Sequence, residues 1–198
     1  MVAAVVLVTV TAVVARTGAQ RSMRAAGAGA TPSSTEAAPP AASDIYRELR
    51  GRLLRVMPEE LGIELGAAEE AWGALMETGY PEGVATVVAL RDGNASLYLS
   101  TGGGVIGGVS HPAVRAAAAR FVKTVEGDLS RFRALDDAPL PAPGQVCFVA
   151  LTRSGPLVTE APESELQRSE RGLGTLYRYG QDVLTELRLV TERAGSEK

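Results

Sequence analysis

From Asp44 onward the apolar positions fall into two periods, and the changes between them predict the elements. Ile45, Leu49, Leu53 and Val56 recur every three or four residues. That spacing predicts an opening helix with one apolar stripe, capped by Ser43-Asp44 and ended by Pro58. Arg47, Arg50, Arg52 and Arg55 then occupy its other faces. Ala68, Ala71, Trp72, Leu75 and Met76 extend the helical period over about 67–78, with Gly79 as a stop and Trp72 in the core. At Val84–Leu90 and Ala95–Ser100 the chain turns to β-rich runs, joined by Arg91-Asp92-Gly93-Asn94. An Asp-Gly between two such runs predicts a hairpin with a type I′ turn. In its second strand Leu97 and Leu99 face one side while Ser96, Tyr98 and Ser100 face the other.

The strongest helical pattern follows: Val114, Ala118, Phe121, Val125, Leu129 and Phe132, with Ser110 as cap and Pro112 in the first turn. Asp136–Gly144 is a proline-rich connection. Gln145–Thr152 and Leu157–Ala161 predict a second hairpin around Arg153-Ser154-Gly155-Pro156. Leu173, Leu176, Gly180, Val183, Leu187 and Val190 predict a last helix, fraying from Glu192. The predicted order is α-ββ-α-ββ-α. It implies an α+β fold, a central antiparallel sheet of two hairpins flanked by helices.

The single domain is expected over 44–193, with 194–198 as a tail. Residues 1–24 form an apolar leader, whose run Val2–Ala15 is followed by Arg16, Arg21 and Arg24. Three readings stand: a cleaved secretory signal, a membrane anchor, or a start codon placed ahead of a natural start at Met23. An anchor would hold the domain on the cytoplasmic side of an inner membrane; otherwise the protein is expected in the cytoplasm. Residues 25–43 are a low-complexity linker that cannot build a core.

Composition changes the picture mainly by exclusion. A net charge of −3 and a pI near 5.3 remove the electrostatic case for nucleic-acid binding. With one cysteine, Cys147, and one histidine, His111, neither a disulfide within the chain nor a multi-histidine or cysteine-cluster metal site can form. Cys147 reads as a small buried hydrophobe. No cofactor is implied.

The most unusual stretch is Ser100-Thr101-Gly102-Gly103-Gly104-Val105-Ile106-Gly107-Gly108-Val109-Ser110-His111. So many glycines are tolerated where the backbone needs φ > 0 or a close approach. Gly102–Gly107 matches G-x-G-x-x-G, but the helix begins beyond the last glycine and the preceding strand belongs to a hairpin, so a dinucleotide site does not follow. A weaker anion site remains, built from Ser100, Thr101, Gly102, Gly103, Gly104, Gly107, Gly108, Ser110 and His111. The alternative is an edge strand or tight crossing packed against a helix. A Ser–His pair for catalysis lacks a third group to orient the imidazole.

The run SLYLSTGGGVIGG, followed by HPAVRAAAARFV and later YGQDVLTELRL, resembles a set of uncharacterised bacterial proteins. The element order is similar to roadblock and profilin-like domains. That second likeness implies a homodimeric scaffold or regulator of small GTPases. The expected function is therefore a non-enzymatic module that binds another protein or itself, with membrane contact only through residues 2–15. A ligand- or anion-binding domain using the glycine stretch, or an enzyme, are the other readings.

Overall fold

The computed structural model describes residues 42–137 and 139–196; the leader, the linker up to residue 41 and the last two residues of the tail lie outside them, while Ser43, expected as the end of the linker, caps α1. The described chain is α+β. A seven-stranded antiparallel sheet carries four α-helices, α1 (Asp44–Leu53), α2 (Pro112–Gly127), α3 (Glu163–Arg168) and α4 (Leu173–Ser196). The strands are β1 (Ala71–Tyr80), β2 (Gly83–Leu90), β3 (Ala95–Leu99), β4 (Gly104–Ile106), β5 (Arg133–Ala134), β6 (Gln145–Thr152) and β7 (Gly155–Pro162), in spatial order β4-β3-β2-β1-β6-β7-β5.

The expected two-hairpin layout is thus corrected to a four-strand meander, a helix, and a hairpin with one short added strand. The main correction is β1. The segment expected as a helix over 67–78 is the central strand, paired to β2 along Gly73–Tyr80 and to β6 along Ala71–Thr78. A strand covered on both faces has no polar face, so its period of two disappears and its Ala, Leu and Met content reads as helix. Nine of its ten positions are buried.

Two cores form, one on each face. On one, α2 and α4 bury Met76, Val87, Phe121, Phe148, Leu176 and Leu187 among others. Gly180 lets α4 lie close to β1, since a Cβ there would run into the Met76 thioether. On the other face α1 and the segment after it cover Trp72, Leu75, Val88, Cys147, Val149 and Leu151. Trp72 is core as expected, though from a strand.

Smaller boundaries also move. α1 stops at Leu53, and Pro58 opens a 3₁₀ turn (Pro58–Leu61) instead of ending the helix. α2 ends at Gly127, so Leu129 and Phe132 lie beyond it, and α4 runs to Ser196 without breaking at Glu192. The β2–β3 hairpin forms, but Gly93 N–H donates to Leu90 C=O with Gly93 at φ +90°. That is a turn closed by a left-handed glycine, not the expected two-residue type I′ loop.

Candidate functional site

The glycine stretch sits at the outer edge of the sheet. Gly104–Ile106 is β4, paired among the described residues only to β3, through Ser96↔Ile106, Leu97↔Val105 and Tyr98↔Gly104. Gly104 must be glycine: its φ is +151°, and a Cβ would fall on the Leu97 carbonyl oxygen. Gly102, Gly103 and Gly107 are also at positive φ, but with open space beside them. Gly108 packs under α2, where a Cβ would strike Val114.

The other predicted site residues scatter. Ser100 is buried, and its Oγ accepts from Val84 N–H at 2.8 Å while its carbonyl accepts from Ser43 N–H at 2.8 Å. It ties the edge to the start of α1. Thr101 and Leu99 line a shallow groove of about 230 Å³ with Tyr80 and Ala85. Ser110 is exposed and does not cap the helix; His111 holds the N-cap position, and its side chain makes no capping bond. Gly102 N–H donates to Leu99 C=O and Gly108 N–H to Ala95 C=O. These two amides therefore serve the chain's own loops.

The opposite face of the sheet holds a polar row that the sequence pattern did not reveal. Register places Tyr98, Thr86, Glu77, Cys147 and Glu160 side by side on β3, β2, β1, β6 and β7. Above it, α1 presents Tyr46 and Arg50, both buried, while Ile45 is 72% exposed. Of the expected stripe only Ile45 faces water; Leu49 is half-buried, Leu53 and Val56 pack against the core, and Tyr46 and Arg50 join them. Arg50 holds the fully buried Glu77 through two bonds, Nε–Oε1 at 2.6 Å and Nη2–Oε2 at 2.7 Å. Thr86 Oγ1 donates to Glu77 Oε1 at 3.3 Å, and the Tyr46 hydroxyl lies 2.7 Å from Thr86 Oγ1. Because the Thr86 proton goes to the carboxylate, Tyr46 donates to Thr86. Among the described residues no buried side-chain nitrogen or oxygen lacks a partner.

Beside this row lies a cleft of about 290 Å³, lined by Arg50, Arg133, Asp137, Gln145, Cys147 and Glu160 among others. Its thiol is inert. Burial, followed by the charge of Glu77, pushes Cys147 from 9.0 up to about 12. Burial and Glu77 likewise raise Tyr46 from 10.0 to about 12. Below pH 9 both folded and unfolded thiols are protonated. Above it only the unfolded chain ionises, so stability falls as pH rises toward 12. The expected result is a declining melting temperature across that window, with a shallower decline in Cys147→Ala. At pH 8 a thiol reagent should react with the native protein far more slowly than with unfolded chain.

No protein-family model, curated protein or solved structure matches this chain. Its chemistry is therefore read from these residues alone. The described residues contain no group of three or more His, Cys, Asp or Glu placed to hold a metal ion. No helix among them is long and apolar enough to cross a membrane. The polar row could not have been found by spacing, because its members come from five strands and one helix.

Proposed function

We propose that this chain is a non-enzymatic regulatory or scaffold module that acts by binding another protein, with the β4 edge as its binding surface. The observation that carries this is an open edge bearing exposed apolar side chains. Ile106 is 63% and Val109 41% exposed. With Leu99 N–H donating to Gly103 C=O, the alternation of an antiparallel ladder turns the amides of Gly104 and Ile106 away from β3. An extended segment of a partner could pair there and bury Ile106. A roadblock or profilin-like kinship, with a small-GTPase system as the setting, belongs to the same proposal; a central antiparallel sheet with helices on both faces supports it.

The test is affinity capture from the source cell with full-length chain as bait, parent against Ile106→Lys. A protein retained by the parent and lost by at least about tenfold with the variant is the expected result, a difference of about 1.4 kcal/mol. Equal retention by both baits would overturn the assignment to β4. A second reading, anion binding by the glycine loop, draws on Gly102, Gly103 and Gly107 being at positive φ on an open surface.

A further inference from the structure

The two edges of this sheet are built differently, and the difference bears on what pairs with them. β5 closes one edge with two residues and is blunted by charge and proline. Arg133 is exposed and lies 3.7 Å from Glu160, and Asp136, Asp137, Pro139 and Pro141 follow. These are the devices by which proteins stop edge-to-edge association. β4 is short too, at three residues, but it lacks the charge and the proline: from Gly93 to Val114 the chain has no Asp, Glu, Lys or Arg, and no proline before Pro112.

Resting on the reading of β4 as a binding edge, we infer that its partner is a second copy of this chain, added antiparallel across a two-fold axis. Such an axis sets residue i of one copy opposite residue j of the other, and on a strand of three residues any charge would lie close to its own copy. A neutral strand avoids this and is complementary to itself. With the axis at Val105, the outward N–H of Gly104 donates to the Ile106 carbonyl of the second copy and the N–H of Ile106 to its Gly104 carbonyl, and each Ile106 side chain leaves water beside the second copy. β4 joining β5 would propagate without closing, and the charges and prolines of β5 oppose it. What remains is one closed pair, a continuous sheet across two copies.

A contact centred on so short a strand lies at the small end of specific interfaces, where micromolar dissociation constants are typical. Sedimentation equilibrium of the full chain from about 1 to 200 µM should therefore show the mass rising from monomer to dimer and no further. Ile106→Lys should weaken the dimer by at least tenfold without lowering the melting temperature; Arg133→Ala should leave it unchanged. Hydrogen exchange adds a positional readout, with the amides of Gly104 and Ile106 slowing as concentration rises.

A monomer throughout the range overturns self-pairing, yet capture of a partner lost with Ile106→Lys would then still support a binding edge. A dimer indifferent to Ile106→Lys, with unprotected β4 amides, overturns the placement at β4. Growth into larger species overturns the closed two-fold arrangement.

Discussion

Glu77→Ala is expected to lower stability by about 3–5 kcal/mol, because it takes away the buried carboxylate that holds the Arg50 guanidinium through two bonds. Thr86 loses its acceptor in the same step, and with it the anchor for the Tyr46 hydroxyl. A domain of this size has roughly 5–15 kcal/mol of stability in total, so the variant should unfold at much lower denaturant. The loss should concentrate in α1, whose hydrogen exchange rises first. Replacing the pair together, Arg50→Met with Glu77→Leu, should recover most of the loss, since apolar groups of similar volume often replace a buried ion pair at little cost. Chemical denaturation of the three variants checks this. A single-variant loss below about 1 kcal/mol would mean that the pair does not hold α1 to the sheet.

Gly104→Ala is expected to cost about 2–3 kcal/mol, the upper range for forcing atoms into packed structure. The added Cβ meets backbone, the Leu97 carbonyl, which cannot swing aside as a side chain can. Gly102→Ala and Gly103→Ala should cost only about 1–2 kcal/mol, from positive φ alone. The series also separates the two functional readings. Melts with and without millimolar phosphate or nucleotide should show no ligand-dependent shift in the parent if β4 is a binding edge for protein. A parent stabilised by phosphate, with Gly102→Ala or Gly103→Ala folded but unresponsive, would favour the anion reading instead.

Where burial was one-sided, the sequence was a good guide. Val114–Val125 repeats helically because α2 buries one stripe, whereas on β3 only Leu97 meets the core as its alternation suggested: Tyr98 packs on the other face and Leu99 is exposed. The β6–β7 hairpin was legible from its turn, and Cys147 and Trp72 were rightly placed inside. The glycine stretch was legible as a demand for unusual backbone, and Gly104 shows why.

Three things were settled only in three dimensions. β1 lost its alternation by being buried on both faces, so helix-forming Ala, Leu, Met and Glu decided its local appearance. α1 turned Tyr46 and Arg50 inward and left Ile45 in water, although Leu53 and Val56 of its apolar stripe do pack against the core. That choice follows from Glu77, a carboxylate twenty-seven residues later in the chain that needed a charged donor once the sheet had enclosed it. The contrast between the edges, neutral β4 and charged β5, likewise depends on strand order. Local spacing reports how a segment meets water; which segments meet each other is decided by the sheet that brings them into register.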